Sequence, residues 1–150
     1  MSDLVIDPDD VALVKGGDEH QFTAPAGEVF VAGAYIRLDP STGKFVKGNA
    51  TTEAELGDGY FAGNGAPVIG ETVTGYKGPC VVELGDALAG LNYGDYVYVS
   101  DTDGTFADAN PLLDASGDTP EVEEQFPIRA GRVVPGWAST TPKKLLRLAL

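Results

Sequence analysis

One stretch of this chain occurs twice, and the repetition constrains the fold more than any other feature of the sequence. Residues 33–49 and 94–110 align without a gap. Both contain, in register, a leading glycine, a tyrosine, a branched aliphatic residue, a turn glycine, a phenylalanine and an asparagine. Apolar and polar side chains alternate in the first copy, and Gly43 and Gly104 end the two turns. Because glycine suits the left-handed residue that closes a short hairpin, each copy predicts strand, turn and strand.

The composition of the whole chain favours the same class of structure. Its 150 residues are 43% hydrophobic, which is enough for a core, and they include 20 glycines and 10 prolines. The sequence predicts an all-β protein: a small β-barrel or sandwich built from two related β-hairpin halves, with an extended N-terminal arm. We expect the arm at residues 1–19 and the β domain at residues 20–150, with an internal repeat of about 22–84 and 85–150.

The second half follows the order of the first but carries an acidic insertion. Residues 131–134 align with 59–62, and residues 144–150 align with 80–84. This alignment leaves residues 111–126 unmatched. Their acidic residues and two prolines predict an exposed acidic loop.

The N-terminal arm is polar apart from two short apolar runs, residues 4–6 and 11–14. Such a segment buries too little apolar surface to offset its ordering entropy, so we expect it to be disordered in the free protein. One of the runs is expected to add as a strand to an exposed sheet edge of a partner. The predicted partner-binding residues are Leu4, Val5, Ile6, Val11, Leu13 and Val14.

A second arrangement of the arm stays open at this point. The chain could turn at Gly16 and Gly17 and pair with Phe22 and Thr23, as the first hairpin of the domain. Deleting residues 2–15 separates the two arrangements. A disordered arm leaves the domain folded when it is removed, whereas a hairpin takes part of the stability with it.

The charge and the single cysteine exclude several classes of protein. A net charge of −13 repels the phosphate backbone and anionic membranes, so we expect neither nucleic acid nor membrane as a partner. The first residues do not form a signal peptide, and no apolar run has the length to span a bilayer. The expected protein is made in a cytoplasm and soluble. Cys80 has no disulfide partner in the chain, and its apolar neighbours predict a buried thiol.

No pattern in the sequence predicts catalysis. One histidine and one cysteine leave almost no material for a Ser/His/Asp or Cys/His arrangement. The spaced glycines Gly57, Gly59 and Gly63 are not followed by the helix N-terminus that a phosphate-binding loop needs. We therefore expect a protein that is not an enzyme and has no cofactor.

One turn has the beginning of a calcium loop. The segment Asp101-x-Asp103-Gly104 supplies the first ligands, but the twelfth position is Leu112 where a glutamate is required. The spacing is better explained by turn chemistry. His20 has no metal-ligand pattern around it and is expected to face solvent. No metal site is predicted.

Two phrases of the sequence resemble a family of tailed-phage virion proteins. The first is Pro25-Ala-Gly-Glu-x-x-x-Ala-Gly33, followed by Tyr35-Ile-Arg-Leu-Asp-x-x-x-Gly43-Lys-Phe. The second is Ala89-Gly-Leu-Asn-Tyr-Gly-Asp-Tyr-Val-Tyr-Val-Ser-x-x-x-Gly104-Thr-Phe. Together they resemble the capsid decoration (cement) proteins, over about residues 22–150.

This resemblance implies a structural virion protein that binds the outer surface of a phage capsid and stabilises it. Its partners would be the major capsid protein and itself, as a homotrimer on the capsid. It would be made in the host cytoplasm and reside on the capsid exterior. The chain departs from the simplest members in its length, its duplicated layout and the insertion at 111–126.

A carbohydrate-binding β module of a virion fibre or surface protein is the alternative function. Aromatic side chains could form a sugar-stacking face, although packing within the core explains the same residues. The aromatic residues concerned are Tyr35, Tyr60, Tyr76, Tyr93, Tyr96, Tyr98 and Trp137.

Overall fold

Eleven strands and one short α-helix make up the regular structure of this computed structural model, which describes residues 3–109, 129–136 and 141–150. The strands are β1 (Ala12–Lys15), β2 (Gln21–Pro25), β3 (Tyr35–Leu38), β4 (Phe45–Lys47), β5 (Gly59–Ala62), β6 (Thr72–Tyr76), β7 (Val81–Glu83), β8 (Tyr96–Val99), β9 (Phe106–Ala107), β10 (Arg129–Pro135) and β11 (Lys144–Leu148). Helix α1 (Glu53–Leu56) is one turn long and is capped by the Thr52 hydroxyl, which accepts a hydrogen bond from the Glu55 amide. Three short 3-10 helices lie at Pro8–Asp10, Asp18–His20 and Gly85–Leu88.

The strands form two antiparallel sheets. The first has five strands in the order β2-β6-β5-β3-β4, and the second has six in the order β1-β7-β11-β10-β8-β9. Neither closes into a barrel within the described residues, so the fold is a β-sandwich-like arrangement. The prediction of a mainly β protein is confirmed. Of the two predicted architectures, a small barrel or a sandwich, the sandwich-like one is observed.

Both predicted hairpins are present and have the same register. In the first, Arg37 faces Val46, and Leu38 faces Phe45. In the second, Tyr98 faces Ala107, and Val99 faces Phe106. The turn glycines Gly43 and Gly104 have φ of 69° and 70°, the left-handed conformation that the sequence required of them.

The matched register extends beyond the hairpins into both sheets. Across the first sheet, β3 of the hairpin is flanked by β5, and β5 by β6. Across the second sheet, β8 of the hairpin is flanked by β10, and β10 by β11. The next strand across the first sheet is β2, and the next across the second is β7; each precedes its hairpin in the chain. Five strands of each sheet therefore have the same order and the same chain connections. The sixth strand of the second sheet, β1, comes from the arm.

The pairing differs from the sequence alignment in two details. The closing strand β11 occupies the place of β6, whereas the alignment had equated it with residues 80–84. Residues 80–84 contain β7, which pairs with β11 and so lies with the second half. By its pairing, β7 joins the sheet of the second hairpin although it precedes residue 85 in the chain. A bulge in β10 between Arg129 and Gly131 also places Gly131 opposite Val97, the position that Tyr60 holds opposite Ile36.

The core lies in two clusters, one between the sheets and one on the far face of the first sheet. Between the sheets, Tyr35 and Phe61 of the first half pack against Phe106 of the second, with ring centroids 5.8 and 5.7 Å apart. The second cluster contains Ile36 and Phe45 together with residues of the segments that cover that face. The first sheet is thus buried on both faces, while the outer face of the second sheet carries the polar side chains of its strands.

Candidate functional site

The predicted binding arm is seated on the chain's own second sheet. Strand β1 pairs with β7 at one edge. At the other edge Asp3 bridges to Ala107, and the Leu4 amide donates to the Phe106 carbonyl oxygen at 2.8 Å. The buried Ser100 hydroxyl donates a hydrogen bond to the Asp3 carboxylate. The arm therefore forms one edge of the six-stranded sheet and contacts the strand at the other edge.

This seating differs from both arrangements considered for the sequence. The arm is not detached from the domain, and it does not form a hairpin through Gly16 and Gly17 with Phe22, because β1 and β2 belong to different sheets. The physical reason is that the chain itself supplies the free sheet edges and the apolar contacts that were expected of a partner. Gly16 lies close to buried Cys80, so a methyl group on Gly16 would come within 2.6 Å of the thiol sulfur.

The six predicted partner-binding residues divide into two groups. Four of them, Leu4, Ile6, Val11 and Leu13, are partly buried against the core between the sheets. The other two point outward, with Val5 88% exposed and Val14 37% exposed. The second group is the more accessible to a partner.

An apolar surface that the sequence reasoning missed lies beside the arm. We call it the apolar tip, and it consists of Val29, Val31, Val68 and Ile69, each between 53% and 60% exposed. Its two segments run side by side, because Phe30 and Ala66 exchange backbone hydrogen bonds of 3.3 and 2.8 Å. Phe30 and Ala66 themselves point inward and are buried.

The apolar tip and the arm meet at one recess. This recess, of about 170 Å³, is lined by Leu4 and Ile6 of the arm and by Val31 of the tip. Gly33, with φ of 88°, lies beneath the arm, and a methyl group there would come within 2.7 Å of Ile6. The sequence signal for this surface was the alternation of valines at positions 29 and 31. The same alternation occurs in a strand whose valines face the core, so the pattern does not show that these side chains are exposed.

A second surface lies on the outer face of the six-stranded sheet. Tyr96, Arg132, Arg147, Val81 and Lys15 are successive cross-strand partners and form one row. The guanidinium carbons of Arg129 and Arg132 lie 3.8 and 4.2 Å from the centroid of the Tyr96 ring. The row concentrates positive charge on a chain whose net charge is −13.

The aromatic residues do not form one exposed face. Tyr35 and Tyr60 are buried, and the ring of Tyr96 is covered by the arginines. Tyr93, 43% exposed, is the most accessible of the predicted tyrosines that the structure describes, and its hydroxyl donates to the Pro142 carbonyl oxygen. Trp137 lies outside the described residues, as does the acidic segment 111–126. No observation in the described part of the chain favours a sugar-stacking face.

The residues weighed for metal or catalytic roles have structural contacts. Asp103 accepts a hydrogen bond of 3.2 Å from the Asn49 amide and so links the two hairpins. Within the described ranges no group of three or more His, Cys, Asp or Glu side chains has metal-binding proximity, and Leu112 lies outside those ranges. His20 is partly exposed and lies 3.4 Å from the Glu19 carboxylate. Cys80 is buried, as the sequence predicted, and this burial raises the pKa of its thiol.

One further cavity, of about 230 Å³, lies at the junction of the halves. Lys77 and Asp58 form an ion pair of 2.9 Å in its lining, and Lys77 also donates to the Gly59 carbonyl oxygen. Both groups are thereby satisfied. Burial, and after it the nearby Asp58 carboxylate, raises the pKa of Tyr35 in the same lining, while the Tyr35 hydroxyl donates to the Leu56 carbonyl oxygen at 2.6 Å.

No helix among the described residues is long and apolar enough to cross a membrane. Comparisons of the chain with protein-family models, with curated proteins and with solved structures gave no match.

Proposed function

We propose that this protein is a structural virion protein that binds the outer surface of a tailed-phage capsid and stabilises it, as a decoration protein. The observation that carries the proposal is the apolar tip, where four large apolar side chains are exposed on two paired segments and one of them, Val31, lines a recess with the arm. An exposed apolar patch on a strongly charged surface marks a protein-binding site, because leaving it in water is unfavourable. The likeness of residues 22–150 to decoration proteins supplies the identity of the partner, the major capsid protein.

The duplicated architecture supports a structural role. The equal registers of the hairpins and the equal strand orders support the prediction that the two halves are related copies. Two such units packed over a shared core form the scaffold that carries the tip. In this proposal attachment depends on contact area, as at other protein interfaces, and requires no chemical step.

The arm and self-association complete the proposal. Val5 and Val14 remain available for contact with the capsid lattice while the other arm residues hold the arm in place. Copies of the protein assemble as a homotrimer on the shell. A charge of −13 on each copy opposes assembly in free solution, so the trimer forms on the capsid and at raised ionic strength. Light scattering at low and high salt tests this part, and a dimer at every ionic strength would contradict it.

The test of the function is co-sedimentation with undecorated capsids of the major capsid protein encoded beside this chain. The expected result is saturable binding to the capsid exterior and a higher melting temperature of the shell. Replacing Val68 and Ile69 together by serine is expected to weaken binding by about tenfold or more, since each loses roughly 1 kcal/mol of apolar burial. Ser41→Ala, on an exposed hairpin turn, is the matched control and should bind like the wild type.

Two outcomes would refute the proposal. One is absence of binding to the capsids at saturating protein. The other is equal binding by the tip variant and the wild type, which would remove the surface on which the proposal depends. Val5→Ser tests the arm separately, because Val5 is exposed and its replacement leaves the fold intact.

A further inference from the structure

The outer row of the second sheet corresponds to an interface row of the first. In the first sheet Tyr35, Phe61 and Tyr76 are successive cross-strand partners. Tyr35 and Phe61 are fully buried and Tyr76 packs beside them, because this row contacts the second half. The register of the second sheet places Tyr96, Arg132 and Arg147 at the equivalent positions. A face that is a packing surface in one half is thus open in the other, with two arginines in place of the aromatic rings.

The arrangement of the two arginines is unfavourable in isolation. Arg132 and Arg147 lie directly opposite each other on neighbouring strands, and like charges at that position repel. The Arg132 Nε atom is buried and has no hydrogen-bond partner among the described residues. Neither side chain has a carboxylate within 4 Å in that part of the chain. An anion in contact with the two guanidinium groups would relieve this repulsion.

The surroundings fix the class of anion. The two arginines and Tyr96 line a recess of about 240 Å³, whose other lining residues are Arg129, Gly131, Leu148 and Ala149. The Tyr96 hydroxyl accepts a hydrogen bond from Arg132, and the ring lies against that guanidinium, so the Arg132 fork is held in place. A planar fork that is held in this way matches the two oxygens of a carboxylate. The apolar lining suits the aliphatic part of a glutamate or aspartate side chain.

We propose that this recess is a carboxylate-binding site for an acidic segment of a partner protein. Lys15, at the far end of the same row, extends the positive charge along the direction in which such a segment would lie. A protein segment fits better than nucleic acid, because a chain of net charge −13 repels a long phosphate backbone as a whole while a short acidic segment meets only this row. The site lies on a different face from the apolar tip residues and does not depend on the proposed attachment to a capsid.

The site is tested by fluorescence anisotropy on the full chain with fluorescein-labelled tetraglutamate. We expect tetraglutamate to bind, tetraglutamine to show no binding, and the affinity for tetraglutamate to fall as salt is raised. Arg147→Gln is the main variant because Arg147 is exposed and its loss leaves the core intact. It is expected to weaken binding by about tenfold, the usual effect of losing one charge-assisted hydrogen bond. Lys44→Gln makes the same change of charge on an exposed hairpin turn and should bind within about twofold of the wild type.

The melting temperature separates a binding role from a structural one. Arg147→Gln removes the repulsion with Arg132, so its melting temperature should equal or exceed that of the wild type while its affinity falls. Three outcomes would overturn the proposal: no binding of tetraglutamate at millimolar concentration, equal weakening by Arg147→Gln and Lys44→Gln, or complete displacement of tetraglutamate by equimolar inorganic phosphate. The last result would assign the recess to phosphate instead of carboxylate.

Discussion

The equivalent glycines Gly33 and Gly94 offer a direct test of how firmly the arm is held. Their φ angles are 88° and 89°, so an alanine at either position suffers the same backbone strain, about 1–2 kcal/mol. Their surroundings differ. A methyl group on Gly33 would come within 2.7 Å of Ile6 and 3.0 Å of Val11, whereas a methyl group on Gly94 would meet nothing within 4 Å.

The two alanine variants should therefore differ by the cost of disturbing the arm. Overpacking of this kind costs about 1–3 kcal/mol. Gly94→Ala is expected to lower the free energy of unfolding by about 1–2 kcal/mol, and Gly33→Ala by about 2–5 kcal/mol. Urea unfolding followed by circular dichroism measures both values.

Trypsin gives an independent measure, because Lys15 lies within the arm strand β1. If the added methyl group displaces the arm, Gly33→Ala will be cut after Lys15 faster than Gly94→Ala under native conditions. Equal free energies of unfolding together with equal cleavage rates would refute the view that the arm is packed over Gly33.

Two further predictions concern the arm and the buried tyrosine. Ile6→Ala should lower the free energy of unfolding by about 1–2 kcal/mol, because Ile6 is partly buried. Its neighbour Val5 is 88% exposed, so Val5→Ala should change the same quantity by no more than about 0.5 kcal/mol in a urea titration. Equal effects would contradict the orientation of the arm. The pKa of Tyr35 is raised above its ordinary value of 10.0, so above about pH 10 the unfolded chain loses this proton while the folded chain keeps it, and stability should fall as the pH rises. Tyr35→Phe loses the hydrogen bond to Leu56, which should lower the free energy of unfolding by about 1 kcal/mol at neutral pH. Between pH 9 and about 11, however, urea titrations should show a shallower fall of this free energy with pH than in the wild type. An unchanged slope would show that Tyr35 does not cause the alkaline loss of stability.

The parts of the fold that the sequence predicted are those governed by local chemistry. The hairpins followed from Gly43 and Gly104, because a turn of this type needs a left-handed residue within a few positions of the strands. The place of β11 did not follow, because several apolar segments could pair with β10 and the sequence does not rank long-range pairings.

The candidate surfaces depended even more on long-range geometry. The sequence shows the apolar runs of the arm, but it does not show which sheet edges are free within the chain's own fold, so it does not predict the pairing of the arm with β7 and Ala107. Arg132 and Arg147 become neighbours only through the register of β10 and β11. Exposure of the apolar tip likewise depends on which side of each segment the rest of the chain covers.

The correspondence between the aromatic row of the first sheet and the arginine row of the second also bears on solubility. The halves are stacked head to tail, since the row Tyr35, Phe61 and Tyr76 of one contacts the other half, whose own row points outward. A contact of this kind joins two different surfaces, and its repetition from chain to chain gives either a closed ring or an open-ended fibre. With phenylalanine at position 132 and tyrosine at position 147, the outer row would repeat the aromatic packing surface of the first half. Two guanidinium groups there give the second half a charged outer row, the polar face that the terminal unit of a repeat array requires.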